Sequence, residues 1–353
     1  MTIKAAPPYN KTEIKDLTKD QLVLWFETRA MRSFRALQVM RWIYLRQVDT
    51  FEQMTDINKT TRTLLSASFD NKRLVLRQTE TSADGSQKFL FQLGDGNTIE
   101  SVLIPEKEHD TLCISSQVGC AQGCRFCMTA KGGLIRNLFT WEIIAQVRDI
   151  QQLADHSGRL TNIVFMGMGE PLANYDNVVK AIQVITDGDT GLKFSNRRVT
   201  LSTAGLVPKM QRLGKDTQVN LAISLNAADN AVRSRLMPVN RKYPLEKLLD
   251  ACAAYPLKRR KKITFEYILI KGVNDSAADA ESLAVLLKKL PSKINLIPYN
   301  EHAGSPFERP DESTIEQFQN ILINNNFTTI IRRSKGRDIA AACGQLRARY
   351  MEP

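Results

Sequence analysis

The 353-residue sequence has only three histidines, no fixed-period repeat, and no apolar run near the ~20 residues that span a bilayer. Its first residues, Met-Thr-Ile-Lys-Ala-Ala-Pro-Pro, lack the apolar core of a secretory signal peptide. These absences argue against membrane, secreted and repeat proteins. We therefore expect a cytoplasmic protein with no membrane partner, whose cysteines stay reduced unless a reaction oxidises them.

The cysteines, in contrast, are concentrated in one stretch. Four of the six lie between Cys113 and Cys127, and Cys120, Cys124 and Cys127 follow a C-x3-C-x2-C spacing. Thiolates this close cannot all form disulfides without strain, but a compact loop can wrap them around one metal centre. Three thiolates leave one iron of a four-iron cluster without a protein ligand. The spacing therefore predicts a catalytic iron–sulfur site.

A structural zinc site is the alternative for these cysteines, with Cys113 or a histidine as the fourth ligand. The scarcity of histidine weakens this alternative, because His109 is near the cysteines whereas His156 and His302 are remote in sequence. The sequence favours iron–sulfur and leaves zinc open.

The excess of basic residues, a formal net charge of +12 with a pI near 9.4, favours a polyanionic partner. Residues 11–69 have helical periodicity. The cations in and just after them form one candidate surface: Arg35, Arg41, Arg46, Lys59, Arg62 and Lys72. This surface is either a solvated charged face or a module that contacts RNA phosphates.

The rest of the sequence predicts β structure and then alternating strands and helices. Three alternating segments over residues 73–104, separated by glycine-containing turns, predict an antiparallel β meander. From residue 111 onward, six β-α units with apolar strands indicate a parallel sheet covered by helices, with helical stretches predicted over residues 140–153, 174–185, 245–254 and 276–290. Six units are fewer than the eight of a closed barrel. We therefore predict an α/β fold, a partial (βα)6 barrel with an N-terminal helical accessory domain and a short antiparallel β meander.

Polar residues recur where the predicted parallel strands end. They are the cysteine loop, residues 167–170, Ser202, residues 224–226 and Asn300. Because the carboxyl ends of parallel strands meet at one edge of a barrel, we expect these residues to form a single site.

The C-x3-C-x2-C motif, with Phe126 before its last cysteine and β-α units after it, resembles that of radical S-adenosylmethionine (SAM) enzymes. Further stretches are CISSQVGC from Cys113, FMGMGEPL from Phe165, RRVTLST from Arg197, GVND from Gly272 and AACGQL from Ala341. Together they resemble RlmN-type RNA adenine-C2 methyltransferases. The resemblance extends from the N-terminal module to Leu346, nearly the whole chain.

This resemblance implies a [4Fe-4S] cluster on Cys120, Cys124 and Cys127, with SAM on the fourth iron. It also implies SAM contacts from seven residues: Gly169, Glu170, Ser202, Ser224, Leu225, Asn226 and Asn300. Without it, a lone Ser or Asn at a strand end is an ordinary turn residue. The family usually has His where Asn226 stands, so we expect altered contact geometry there.

The resemblance further assigns three catalytic residues. Cys343 would accept a methyl group from a first SAM, and a second SAM, split at the cluster, would activate that methyl for addition to adenine. Glu100 would then take the proton from carbon 2, and Cys113 would attack the Cys343 sulfur to release the product. Taken alone, Cys343 would be interpreted as a small buried residue and Glu100 as an exposed strand carboxylate.

These expectations define four predicted regions: residues 1–70, the helical RNA-binding accessory domain; 71–105, the antiparallel β linker; 106–335, the radical SAM partial barrel; and 336–353, the catalytic-cysteine segment. The expected partners are 23S rRNA, tRNA and an electron donor such as flavodoxin or ferredoxin, and the expected state is a monomer. Methylation of carbon 8 of the same adenosine is one alternative. A non-catalytic iron–sulfur or zinc protein that binds RNA is another, from a different class.

The same resemblance shows one further departure, in the segment before Cys343. Lys335, Arg337 and Ala340 stand where the family normally carries more acidic residues. We expect this difference to alter local RNA contacts and not the role of the cysteine.

Overall fold

A computed structural model describes residues 11–153, 160–302 and 304–347. The first ten residues of the predicted accessory domain, the last six of the predicted cysteine segment, and His156 lie outside the described residues. No helix in the described part of the chain is long and apolar enough to cross a membrane.

The N-terminal module consists of helices α1 (Lys19–Glu27), α2 (Phe34–Tyr44) and α3 (Lys59–Ser68). Helix α1 begins with a capping box, in which the Thr18 hydroxyl accepts from the Gln21 N–H at 3.2 Å and the Gln21 side chain accepts from the Thr18 N–H at 2.9 Å. Strand β1 (Thr12–Glu13) pairs in parallel with β2 (Phe69–Asp70). The two ends of the module therefore lie side by side.

The predicted meander is present as β3 (Val75–Thr81), β4 (Gln87–Gln92) and β5 (Thr98–Pro105), paired antiparallel. Strand β5 also pairs antiparallel with β6 (Asp110–Cys113). The meander is thus continuous with the main sheet and extends it on one side.

The main sheet is the parallel-rich sheet that the strand pattern predicts. A short hairpin, β7 (Gln117–Gly119) and β8 (Leu134–Asn137), stands apart from it. The remaining strands are β9 (Leu160–Phe165), β10 (Val199–Thr203), β11 (Asn220–Ser224), β12 (Ile263–Leu269), β13 (Ser292–Pro298) and β14 (Thr329–Ile331). The order across the sheet is β14-β13-β12-β11-β10-β9-β6-β5-β4-β3. Strand β6 and strands β9 to β14 are mutually parallel. The predicted fold class is confirmed.

Helices alternate with these strands along the chain. They are α5 (Thr140–Leu153), α6 (Tyr175–Thr186), α7 (Val207–Asp216), α9 (Leu245–Ala253), α10 (Ala277–Leu287) and α11 (Glu312–Asn324). Two short helices, α4 (Met128–Lys131) and α8 (Asn230–Leu236), contact the C-terminal segment and the cysteine loop respectively. The outward side chain of Tyr267 on β12 packs on Phe318 of α11, with ring centroids 5.3 Å apart. Its neighbour Glu266 points the other way, because side chains alternate along a strand.

The sequence analysis predicts α5, α6, α9 and α10 but does not identify α4, α7, α8, α11 or the β7–β8 hairpin. For α11 a signal exists, since Ile315, Phe318 and Leu322 recur at helical spacing and are buried. For α8 the signal is Asp229, whose side chain accepts from the Val232 N–H at 2.8 Å as an N-cap.

Candidate active site

The three spaced cysteines lie on a loop whose backbone is tightly held. The Cys127 N–H donates to the Cys124 carbonyl at 3.1 Å, and the Cys120 N–H donates to the Gly133 carbonyl at 2.8 Å. Gly119 precedes the first cysteine with φ +75°, and a Cβ there would lie 2.0 Å from the Gly133 carbonyl oxygen. Only glycine therefore allows this loop to close against the β7–β8 hairpin.

The three thiols line one pocket, here called the strand-end pocket. Its lining also includes Gly169, Glu170, Ser202, Ser224, Asn226, Glu266 and Cys343. Removal from water raises the pKa of Cys120 to about 12. It also raises the pKa of Cys124, and the charges of Cys127 and Cys120 add to that rise. Ligation by a metal therefore has to displace protons from these thiols.

The three cysteines of the loop suit a four-iron cluster, because such a cluster takes one thiolate per iron and its ligands need not converge on one point. The fourth ligands that zinc would require also lie elsewhere: His109 is at the start of β6, away from the loop, and neither Cys113 nor His302 is among the described residues lining the pocket.

Glu170 and Gly169 follow β9 and are fixed by neighbouring strands. The Glu170 carboxylate accepts from the Thr203 hydroxyl at 2.8 Å and from the Ala204 and Leu172 N–H groups at 2.7 and 2.9 Å. Gly169 has φ +101°, and a Cβ there would lie 2.5 Å from the Gln117 side chain. Burial raises the pKa of Glu170, which these hydrogen bonds oppose. The carboxylate therefore joins the ends of β9 and β10 beside the cysteine loop.

Ser202 and Ser224 both donate to one oxygen of Glu266, at 2.6 and 3.2 Å. Burial raises the pKa of Glu266, and the two hydroxyl hydrogen bonds oppose that rise. Because both hydroxyl protons point at Glu266, the two serines can present only oxygen lone pairs to the pocket. They are therefore suited to accept hydrogen bonds from a ligand's amino or hydroxyl group.

Asn226 is buried with φ +60°, a left-handed conformation that asparagine tolerates better than most residues. Its side-chain oxygen accepts from the Ile268 N–H at 2.8 Å, and its amide nitrogen lies 3.1 Å from the Met237 sulfur. The preceding Leu225 is buried and does not line the described pocket, while its N–H donates to the Glu266 carbonyl at 2.9 Å. The asparagine thus connects β11 to β12 and also borders the pocket.

The C-terminal segment carries Cys343 into the pocket from the far end of the chain. The Asn300 side chain donates to the Cys343 carbonyl at 3.2 Å. The Met128 N–H donates to the Gly344 carbonyl at 2.7 Å, and the Thr129 hydroxyl donates to the Leu346 carbonyl at 2.7 Å. The segment is therefore fastened to helix α4, which immediately follows Cys127.

Upstream of Cys343, the segment is anchored to the β3–β4 turn. The Asp338 carboxylate accepts from the Ser82 hydroxyl at 2.6 Å and the Ala83 N–H at 3.1 Å. Lys335 donates to the Pro105 carbonyl. Lys335, a basic residue where the family is usually more acidic, thus attaches the segment to the meander.

Cys113 and Cys343 are free thiols at the end of β6 and on the C-terminal segment. Cys113 is buried, and burial followed by the Cys343 charge raises its pKa. The Cys343 residue as a whole is exposed. Its thiol group is nevertheless largely surrounded by protein, and this desolvation, followed by the Glu266 charge, raises its pKa to about 12. The structure therefore brings the two cysteines into the same electrostatic neighbourhood, and the interpretation of Cys343 as a buried core residue is wrong. Cys252, by contrast, is buried in α9.

Glu100 is buried on β5, so its interpretation as an exposed strand carboxylate is also wrong. Its side chain accepts from the Arg347 N–H at 2.8 Å and lies 3.6 Å from the Lys88 ammonium. Its backbone carbonyl accepts from the Ser115 hydroxyl at 2.6 Å. Glu100 therefore lies between the strand end that carries Cys113 and the segment that carries Cys343.

Glu266 and Arg233 lie at or next to the pocket and were not predicted from the sequence as site residues. Glu266 had a signal, since a carboxylate in the middle of the apolar strand Ile-Thr-Phe-Glu-Tyr-Ile-Leu is unusual. Arg233 is fully buried on α8 and its surroundings were not predictable locally.

Comparison with known proteins adds independent information. The family model for the radical SAM superfamily matches residues 114–283, and that for the ribosomal RNA large subunit methyltransferase N-terminal domain matches residues 12–70. The crystal structure of a radical SAM methyltransferase from Sphaerobacter thermophilus is similar with a TM-score of 0.90 and 41% identity, covering 96% of this chain and 100% of that one.

Two curated relatives are similar over almost their whole length. The dual-specificity RNA methyltransferase RlmN of Desulfosudis oleivorans is 56% identical over 336 residues, which are 95% of this chain and 91% of that protein. The protein of the same name from Geobacter sulfurreducens is 50% identical over 337 residues, 96% of this chain and 92% of that protein.

Proposed function

Because the chain belongs to the RlmN family of radical SAM RNA methyltransferases, we propose that it methylates carbon 2 of adenosine in 23S rRNA and in tRNA. The rRNA target would be in the peptidyl-transferase region and the tRNA target beside the anticodon. The observation that carries the proposal is that Cys343 lines the same pocket as Cys120, Cys124 and Cys127. A thiol beside the metal site can hold a group on which the chemistry at the metal acts.

The cluster would be held by Cys120, Cys124 and Cys127, and with SAM bound it would supply one-electron cleavage of SAM. Gly169, Glu170, Ser202, Ser224, Leu225, Asn226 and Asn300 are proposed to shape the SAM site. Ser202 and Ser224 would present lone pairs to it, as their bonds to Glu266 require. Glu170 and Asn226 would act mainly through position, since their polar atoms already bond to the protein.

The protein's own steps begin at Cys343. Its thiol would take a methyl group from a first SAM, losing a proton and leaving S-adenosylhomocysteine. The S-methyl group would lose a hydrogen atom to the radical formed from a second SAM, and its carbon would then bond to carbon 2 of adenine. The adduct would give up one electron, and its carbon-2 proton would pass to Glu100. The Cys113 thiolate would then attack the Cys343 sulfur; the electron pair of the broken carbon–sulfur bond would stay on the carbon, which takes up a proton to become the methyl group, and the two cysteines would be left as a disulfide. A dithiol reductant returns both cysteines to thiols with two electrons and two protons.

Glu100 is proposed to accept the proton that leaves carbon 2. Support comes from its burial and from two hydrogen bonds. The hydroxyl of Ser115, two residues after Cys113, donates to the Glu100 backbone carbonyl, and the N–H of Arg347, four residues after Cys343, donates to the Glu100 side chain. A carboxylate surrounded this way is shielded from water, as a proton acceptor should be.

RNA contact is proposed for the N-terminal module. Arg29 stacks on Trp25 with 4.3 Å from the guanidinium to the ring centroid, and Arg46 stacks on Trp42 at 4.0 Å. Such pairs keep the cations extended at the surface, where they can meet phosphates. Lys72 contributes less to this face, because it is paired with Asp70 at 2.8 Å.

The remaining features of the proposal concern conditions. The enzyme would use two SAM molecules per turnover, take its electron from a flavodoxin- or ferredoxin-like donor, and act as a monomer in the cytoplasm. The free thiols of the described residues fit a reducing compartment.

Methylation of carbon 8 is not favoured, because both relatives described above carry the RlmN name. The non-catalytic alternative is not favoured either, because the chain belongs to a family of methyltransferases.

The proposal is tested with anaerobically prepared protein, SAM, reductant and an RNA fragment containing the target adenosine. We expect 2-methyladenosine by chromatography and mass spectrometry of the digested RNA. Cys113→Ala should accumulate a covalent protein–RNA adduct, visible as a shifted band, because addition proceeds without release. Cys343→Ala should make neither product nor adduct while keeping its iron. Formation of 8-methyladenosine, or a Cys113→Ala protein with no adduct, would contradict the proposal.

A further inference from the structure

The fully buried Arg233 has hydrogen bonds but no counter-ion. Its Nε donates to the Leu225 carbonyl at 3.0 Å, one Nη donates to the Asn240 side-chain oxygen at 2.8 Å, and the other donates to the Ala204 carbonyl at 2.9 Å. All three acceptors are neutral. Throughout residues 11–153, 160–302 and 304–347, no carboxylate lies within ion-pair distance of this guanidinium.

This arrangement is unfavourable in the protein by itself. A buried guanidinium whose partners are all neutral has lost its water without gaining an opposite charge. Burial accordingly lowers the pKa of Arg233 to about 10. The position is therefore expected to have a use that offsets this destabilisation.

Two thiols act electrostatically on Arg233, that of Cys124 on the cysteine loop and that of Cys252 on α9. The Cys124 thiol becomes an anion when it binds iron. The helix of Arg233 is also joined to the cysteine loop, because the Arg125 N–H donates to the Leu236 carbonyl at 2.9 Å. Phe126, Leu236 and Met237 pack in one apolar cluster that Cys124 and Cys127 contact. One Arg233 Nη donates to the carbonyls of Ala204 and Ser224, and both of these residues line the strand-end pocket with the three cysteines.

We infer that Arg233 is the fixed counter-charge for the iron–sulfur cluster held by Cys120, Cys124 and Cys127. The inference depends on the proposed function, because it assumes that cluster. A four-iron core on three thiolates carries net negative charge and becomes more negative when it takes an electron. A buried cation on a rigid helix favours the reduced form and so makes reduction by a biological donor easier.

A purely structural role for Arg233 is the competing explanation, since it also ties the ends of β10 and β11 together. The two roles make different predictions for charge. Arg233→Gln keeps an amide donor and removes the charge, while Arg233→Lys keeps the charge and removes most of the fork of hydrogen bonds. Arg235→Gln, on the same helix and exposed, is the matched control for loss of a positive charge.

The experiment is an EPR-monitored redox titration of each protein after anaerobic reconstitution, with iron and sulfide counted and melting temperatures recorded. We expect the Arg233→Gln cluster to titrate at a more negative potential than wild type, with Arg233→Lys and Arg235→Gln close to wild type. An Arg233→Gln protein with full iron and an unchanged potential would overturn the inference. If Arg233→Gln does not fold, Arg233→Lys decides: a wild-type potential supports the inference, and a clear negative shift overturns it. Failure of the wild-type protein to assemble a cluster would instead overturn the proposed function.

Discussion

Buried ionic groups occur in two regions of this molecule, the junction between the N-terminal module and α5, and the strand-end pocket. At the junction they are matched by opposite charges. Arg148 of α5 lies 3.1 Å from Asp49 and 3.7 Å from Asp149, and Arg73 lies 3.1 Å from Asp149. Lys15 is likewise paired with Glu13 and also donates to the Asn71 side chain at 3.0 Å.

In the pocket the balance is different. Arg233 and Glu266 are buried with neutral hydrogen-bond partners, and the thiols near them have pKa values raised by burial. At the junction the chain itself supplies the opposite charges, whereas Arg233 and Glu266 in the pocket have only neutral hydrogen-bond partners. Structure-forming and function-forming charges can be distinguished by whether the chain neutralises them.

The largest effect should come from removing a cluster ligand. Cys120→Ala should abolish iron binding and RNA methylation and leave the melting temperature of the metal-free protein nearly unchanged, because the junction does not depend on the pocket. Iron analysis, the RNA assay and circular dichroism measure the three quantities. Cys252→Ala is the control, and it should keep its iron at a cost of about 1 kcal/mol for one small buried side chain. Iron retention by Cys120→Ala would contradict the ligand assignment.

A change at the junction should do the reverse. Asp149→Asn removes the charge shared by Arg73 and Arg148 and weakens the bond from the Leu74 N–H at 2.8 Å. Breaking a buried pair on one side typically costs about 3–5 kcal/mol. Urea unfolding should show a loss of this order, while iron content per folded molecule stays at the wild-type value.

Asp250→Asn, at an exposed position of α9, is the control for this junction change and should lie close to wild type. Equal stability of the Asp149 and Asp250 variants would show that the junction network does not stabilise the fold.

The smallest effect concerns pH. Burial raises the pKa of Asp16 from 3.8 to about 6, although its carboxylate accepts from the Trp141 N–H at 2.9 Å. Since the folded-state pKa is the higher one, stability from this group is present below pH 3.8 and is lost as the pH rises to about 6. The loss is on the order of 3 kcal/mol.

Asp16→Asn lacks this titration and keeps a side-chain acceptor for Trp141. Its free energy of unfolding, measured against wild type at pH 4, 5, 6 and 7, should therefore improve steadily to pH 6 and then stay level. A constant difference across these pH values would contradict the raised pKa. A difference that falls as the pH rises would show that the pKa of Asp16 is lower in the folded state than in the unfolded state.

Local patterns were enough for most of the strands and helices and for the cysteine loop. Helical periodicity in the N-terminal module, alternation in the meander and apolar strands in the barrel all depend on neighbours within a few residues. The same is true of the eight-residue loop from Cys120 to Cys127. Helices α7 and α8 were missed because each buries only two side chains, Met210 and Leu213 in α7 and Arg233 and Leu236 in α8.

The assembly of the site depended on contacts between distant parts of the chain. The placement of Cys343 against α4, of Glu100 against Arg347, and of Arg233 against two strand ends involves separations that no periodicity encodes. A resemblance to known sequences pointed to the first two, and nothing in the sequence pointed to the third.

The sequence by itself determined the spacing of the cysteine loop, the alternation of strands and helices, and the excess of positive charge, because spacing and composition act over short range. Only the tertiary structure decided which buried charges are neutralised and which are not. Desolvation and pairing depend on what packs around a group, and that is settled when the sheet, the helices and the C-terminal segment come together.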